Sequence, residues 1–412
     1  MNMISDGGFG EVSVIEKANV TSQEEREAVS KQVVAWEEAL KNNAKRAGAF
    51  GFLAVSLAAC GSGGTEEEEE NENVWDLINH VLTTGLDDVD GNLDEDLSAI
   101  VADDVIHAPV GTFAQLDVID GGDDIDGDIL LLSVDSETVG TLIDSVSGIE
   151  ALNIYAGGED GSTVVLTKFD DALELVNILH ATEDVTLEDL QNIVAVAIVD
   201  STSNFTIDFD AQVVLGDDDT LVLYIEEVGS DGDFSAIAQV SEGTSRIDID
   251  AGIENVDLTI GDEEGEASNV HLYAPGMTDL TVSGGVEGQG VILSLSGGAN
   301  VENIDTTDFV GDIELLAVDG EGLETLSTGD GDDVVEVIGS VDGRVDLGGG
   351  NNGFSATGGL GALGSYTSTG SGGEVSFGGD VYGSIDLGDG NDTLNVEGDV
   401  YGRVDLGAAT MK

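Results

Sequence analysis

The chain has little positive charge, a single cysteine, two prolines and few aromatic residues, and each shortage excludes something. Lysine and arginine number 11 among 412 residues against 85 aspartates and glutamates, a formal net charge of −74. A phosphate backbone is gripped by Lys and Arg, so nucleic acid is excluded as a partner. With Cys60 alone, no intrachain disulfide can form, and a large exported chain then needs another staple, for which metal ions are the obvious candidates. Aromatics at 5% argue against a conventional enzyme core, and their scarcity with that of Arg and Lys argues against the sugar cleft of a β-helical glycosidase or lyase. Catalytic signatures are missing too. His80, His107, His180 and His271 lack zinc-ligand spacing, and there is no H-E-x-x-H, no G-x-S-x-G elbow and no phosphate loop ending in Lys-Ser/Thr. The chain reads as a non-enzyme.

What the chain does have is acidity on an ordinary apolar content of 41%, so it is not a disordered acidic tail. A folded body of this charge repels itself unless cations neutralise it or salt screens it. Generic surface acidity, as in a marine or halophilic protein, is one explanation. Carboxylates placed as ligands for a hard cation, on top of that acidity, are the favoured one. Two prolines beside 59 glycines describe a chain of many tight turns.

The chain divides by composition. Residues 1–46 hold Lys17, Arg26, Lys31, Lys41, Lys45 and Arg46, and a helix is expected over 20–46, with Thr21-Ser22 as cap and Val29, Val33, Trp36 and Leu40 at helical spacing. Residues 47–73 are an apolar stretch ending in Leu57-Ala58-Ala59-Cys60, then an acidic linker. The stretch resembles a lipoprotein lipobox, which makes Cys60 the candidate lipidation site. Residues 74–108 read as mixed and helical, from Val74, Leu77, Ile78, Val81 and Leu82 and again from Leu97 to Val105. From 109 to 328 Val, Ile and Leu alternate with Asp, Thr and Ser in irregular strand repeats, with Leu173, Val176, Ile178 and Leu179 fitting either helix or strand. Residues 329–412 are a more regular repeat.

Three segments there share one pattern, G-[SD]-V-[DY]-G-[RS]-[VI]-D-L-G: Gly339–Gly348, Gly379–Gly388 and Gly398–Gly407. The last two start 19 residues apart and the first two 40 apart, about twice that. A unit so short cannot bury a face alone, so stacked coils are expected. Alternation assigns Val381, Gly383, Ile385 and Leu387 to the inside and Tyr382, Ser384 and Asp386 to the outside. A turn follows, then Leu394 and Val396 as the inward face of a second strand. Each coil is two short strands and two turns. In the earlier copy Val335 and Val337 take the inward places.

The turns carry the chemistry. Gly329-Asp330-Gly331-Asp332-Asp333 and Gly388-Asp389-Gly390-Asn391-Asp392 are close to the calcium repeat G-G-x-G-x-D-x-U-x, with Thr328 and Leu387 where the first glycine belongs. Glycine allows positive φ, so that carbonyls can point at an ion whose oxygen shell a carboxylate completes. Here the chain resembles the RTX proteins, calcium β-rolls exported by type I secretion. The resemblance implies a right-handed parallel β-solenoid or β-roll, Ca2+ as cofactor and a ligand role for Asp333 and Asp392. A third turn, Gly348 to Gly353, has Asn352 where the ligand Asp belongs, so that site is expected to be weak or lost.

A second phrase, G-[IVL]-E-x-[LVI]-[NDS], recurs at Gly148–Asn153, Gly252–Asp257 and Gly322–Ser327, with a variant at Asn300–Asp305. It reads physically as the start of a strand with polar residues outward. Its recurrence is also similar to the strand repeats of alphaproteobacterial RTX-type S-layer proteins. Acidic turns at Asp88–Asn92, Asp124–Asp128 and Gly216–Asp219 fail EF-hand spacing and read as Asp-Gly turns.

These features point to a mainly β structural protein outside a Gram-negative cell, ordered by calcium. It would self-associate into a lattice or filament, with contact to the outer membrane or a surface glycan. Rival readings are an adhesin or virion fibre, and a fragment of a secreted RTX hydrolase. The last copy stops at Gly407 without a cap, so the array reads either as truncated or as docking a neighbour there.

Overall fold

A computed structural model describes residues 79–82, 88–90, 105–113, 117–121, 128–158, 160–216, 218–229, 244–261, 268–296, 301–370 and 372–408. The expected helix over 20–46, Cys60 and the acidic linker lie outside them. The described residues form thirty strands and no helix. Strands alternate between two parallel sheets. One has fifteen strands, from Asn79–Val81 to Val404–Asp405, and the other twelve, from Thr138–Val139 to Thr393–Val396. A three-stranded sheet of Asp88–Asp90, Val118–Asp120 and Ser145–Ser147 adds to the first coils. The chain crosses between the two large sheets and back, each pass stacking on the last. The result is a β-solenoid of about 11 turns.

Period-two alternation builds the core. Leu130, Leu152, Val176, Val196, Leu223, Leu258 and Val282 are successive register partners in the larger sheet, and all point inward and are buried. The facing sheet contributes the file Leu293, Leu315, Val335, Phe354 and Val375. Each such side chain adds about 1.5–3 kcal/mol on burial, so the stack carries the fold despite the charge outside.

The 19-residue step recurs in the C-terminal coils, where Thr325 pairs with Arg344, Ser365 with Ser384 and Ile385 with Val404, and one coil, Arg344 to Ser365, takes twenty-one. Upstream the step varies more widely, from twenty residues (Leu175 with Ala195) to forty-two (Phe205 with Ile247). The parallel ladder runs on across the expected boundary at 328/329. Asn303–Phe309, Thr325–Thr328 and Arg344–Asp346 are consecutive strands of one ladder across it. Across it the strands shorten, from seven residues at Asn303–Phe309 to three at Arg344–Asp346, and glycine-rich turns join them.

Residues 74–108 correct the helical expectation wherever they are described. Asn79–Val81 and Val105–Ala108 are strands paired in parallel, and Asp88–Asp90 pairs with Val118–Asp120, so its Asp-Val-Asp is no loop. A short apolar run does not separate helix from buried strand by periodicity, and here stacking on the next coil decides. The ambiguous stretch near 175 is also strand. Val176 and Ile178 face the core, while Leu179 joins a small apolar cluster on the outer face with Ala197, Val199 and Tyr224.

Candidate cation-binding turns

The C-terminal coil follows the expected alternation. Val381, Ile385 and Leu387 are buried, as is Gly383, while Tyr382, Ser384 and Asp386 are exposed. Leu394 and Val396, in the last strand of their sheet, are half-buried. Val341, Leu360, Val381 and Val400 form successive parallel bridges at a third position of these coils.

Strand register brings the candidate turns into one file. Val334 pairs with Gly353, Gly353 with Glu374 and Glu374 with Thr393. The residues just before them, Asp333, Asn352, Gly373 and Asp392, therefore stack coil upon coil. Asp333 and Asp392 stand at separate levels, so the two candidate sites are distinct.

Asp333 is 1% exposed. Its Oδ1 accepts from the Ile313 N–H at 3.1 Å, and its own N–H donates to Asn352 Oδ1 at 3.0 Å. Its Oδ2 is buried without a hydrogen bond of normal geometry, and so is Asp392 Oδ2. Burial pushes the Asp333 carboxyl above the usual range. The Thr328 hydroxyl and Ile313 N–H pull it back, and the charges of Asp312 and Asp332 push it further up. A buried carboxylate oxygen with no donor is costly unless it binds a proton or a cation.

Asn352 shows what that position demands. It is 2% exposed, and its Oδ1 takes the N–H of the coil below, as Asp333 Oδ1 does. Its Nδ2 donates to the carbonyls of Leu347 at 2.5 Å and Gly349 at 2.6 Å, with Ser368 Oγ at 3.4 Å. Register places Thr328 and Asp330 in the corresponding places of the first turn, and Leu387 and Asp389 in those of the second. Those turns put a carboxylate oxygen where Asn352 has a donor.

The remaining turn residues serve stacking. Asp332 donates its N–H to Asp312 Oδ1 at 2.8 Å and accepts from the Asn351 N–H at 2.6 Å through Oδ1. Asp389 Oδ1 accepts from the Ala408 N–H at 3.0 Å. Asp330, Asp332, Asp389 and Asn391 are exposed, while Gly390 is buried. Gly329 accepts the Gly349 N–H at 3.1 Å. Positive φ occurs at Gly388 and, in the Asn352 turn, at Gly348 and Gly350, whereas Gly329 and Gly331 do not need it. Gly331 is required for closeness instead, since a Cβ there would lie 2.3 Å from the Gly311 carbonyl.

Among the described residues no three Asp, Glu, His or Cys side chains converge as a metal cluster. A cation at Asp333 or Asp392 would draw its other ligands from turn carbonyls, and the orphaned oxygens fit that donor set. No protein-family model, curated protein or solved structure matches the chain. The likeness to RTX proteins stands on the turn phrases.

The other motifs have structural explanations. In the G-[IVL]-E phrase the apolar residue enters the core (Ile149, Ile253, Val301, Leu323), and the following Glu carbonyl accepts N–H groups from the next coil. Glu150 and Glu254 also accept the N–H of Asp128 at 2.7 Å and Asp219 at 3.0 Å. At Gly216–Asp219 the Gly216 N–H donates to Asp219 Oδ2 at 3.0 Å, closing an Asp-Gly turn. Asp124 lies outside the described residues. What the sequence did not reveal is the positive role of Asn352, which the equal lengths of the three turns could have signalled.

Proposed function

We propose that this chain is a structural, calcium-binding protein of the bacterial cell exterior, a subunit of an S-layer-like lattice or filament whose coils calcium orders. The observation that carries the reading is the pair of buried oxygens without a hydrogen bond of normal geometry, Asp333 Oδ2 and Asp392 Oδ2, in a file where Asn352 fills the same place with a hydrogen-bond donor. Asp333 and Asp392 would hold the ion with carbonyls of their own turns, and the ion would supply the positive charge that these oxygens lack. On this reading the solenoid is the right-handed β-roll of the RTX resemblance, and the net charge of −74 keeps subunits apart until calcium is present.

Titrating chelator and then calcium, with circular dichroism and particle size as readouts, tests it. Chelator is expected to reduce β-structure or dissolve the assembly, and calcium to restore it. Unchanged spectra and unchanged size throughout would defeat the proposal.

A further inference from the structure

Four turns of equal length close successive levels of the C-terminal stack, and three of them end in a side chain that can bind: Thr328–Asp333, Leu347–Asn352 and, beyond the level of Gly373, Leu387–Asp392. They differ in chemistry at their last residue. Asn352 Nδ2 lies within 2.6 Å of two carbonyl oxygens of its own turn, and its Oδ1 receives a backbone N–H from the adjacent coil. Asp333 keeps the second of these contacts, since its Oδ1 receives the Ile313 N–H, while its Oδ2 is buried without a hydrogen bond of normal geometry and the carboxyl has only the Thr328 hydroxyl as a side-chain donor. Aspartate and asparagine have nearly the same shape. The exchange therefore replaces an NH2 group, with two hydrogens to give, by an oxygen with none.

We infer that the Asn352 side-chain amide is a built-in replacement for a bound cation, making its turn a cation-independent level between two cation-dependent ones. This rests on the proposed calcium reading for the Asp turns and deepens it. One N–H bond satisfies each of the two carbonyls that an ion would otherwise bridge, and the side chain is neutral, so the turn closes without metal. The consequence is a division of labour along the stack. The coil of Arg344–Asp346 and Gly353–Ala356 is closed permanently, and calcium locks the level of Asp333 next to it and that of Asp392 two coils away on the other side. Gly373, in the same file, has no side chain to take either role. Loss of calcium would loosen the array from the Asp levels and leave the Asn352 level last to open.

The test uses the full chain in two arms. In the first, bound calcium is counted by native mass spectrometry. Asn352→Asp is expected to bind one more ion per chain than the wild type, and Asp333→Asn and Asp392→Asn one fewer each. In the second, melting is followed in excess chelator. Asp333→Asn is expected to melt higher than the wild type, by about 2–4 °C, because its new amide supplies the missing donor. Asn352→Asp is expected to melt lower until calcium is added. An unchanged ion count in Asn352→Asp, or no rise in melting for Asp333→Asn in chelator, would overturn the inference. If the wild type binds no ion even at millimolar calcium, the calcium reading itself falls. The chelator arm then still decides whether an amide at this position closes the turn.

Discussion

A methyl group added at Gly350 should weaken the stack far more than one added at Gly339, although both glycines have left-handed φ, 79° and 96°. For any residue with a Cβ that conformation costs roughly 1–2 kcal/mol, and at Gly339 the cost ends there, since nothing lies within 4 Å of the new Cβ. At Gly350 the Cβ would sit 1.9 Å from the Gly331 carbonyl oxygen of the neighbouring coil. The backbones must separate, which strains the Gly349 N–H bond to Gly329 at 3.1 Å and the Asn352 bond to the Gly349 carbonyl at 2.6 Å. At about 0.5–1.5 kcal/mol for each bond, Gly350→Ala should cost about 2–5 kcal/mol and Gly339→Ala about 1–2. A solenoid opens locally, so one global unfolding energy is the wrong readout. Hydrogen exchange of peptides spanning 344–356, at fixed calcium, is the right one. Equal loss of protection in the two variants would refute the claim that turn glycines serve coil-to-coil contact.

Burial makes a second forecast. Leu326 is fully buried between Ile304 and Val345, so Leu326→Ala should cost about 2–5 kcal/mol, while Val334→Ala, at a residue 43% exposed, should stay within about 0.5 by the same exchange measurement. The third concerns pH. Burial, then the Glu336 charge, raises the Glu314 carboxyl above its ordinary 4.5. The folded state therefore holds this proton more tightly than the unfolded one. The resulting stability is full below pH 4.5 and is lost as pH rises through the raised folded value. His271, whose value is lowered from 6.5 chiefly by burial and then by Arg246, works in the opposite sense and loses stability as pH falls below 6.5. Glu314→Gln should flatten the first slope in metal-free melting curves and leave the second. An unaltered pH profile would contradict it.

The C-terminal coils were legible because their outer face is polar. Between Val381 and Leu387 buried and exposed residues alternate without exception, with Ser384 and Asp386 marking the outer face, and inside and outside can be assigned by counting. At 175–179 the same count fails, because Leu179 is apolar and yet belongs to an outer-face cluster. With both faces apolar, period two disappears and the run resembles a helix. At 79–82 and 105–108 the strands are so short that only the partner coil distinguishes them from a helical turn. The two ligand candidates were legible as Gly-Asp turns. The file that joins them, and the amide that completes it at Asn352, depend on register between coils and so become visible only once the stack is assembled.

Hydrogen exchange at the three turns, with and without calcium, tests the central claim most directly. Peptides covering 328–333 and 387–392 should gain protection on adding calcium, whereas 347–352 should be protected already and change least. Uniform protection of all three turns in chelator, or a calcium response confined to 347–352, would contradict cation binding at Asp333 and Asp392.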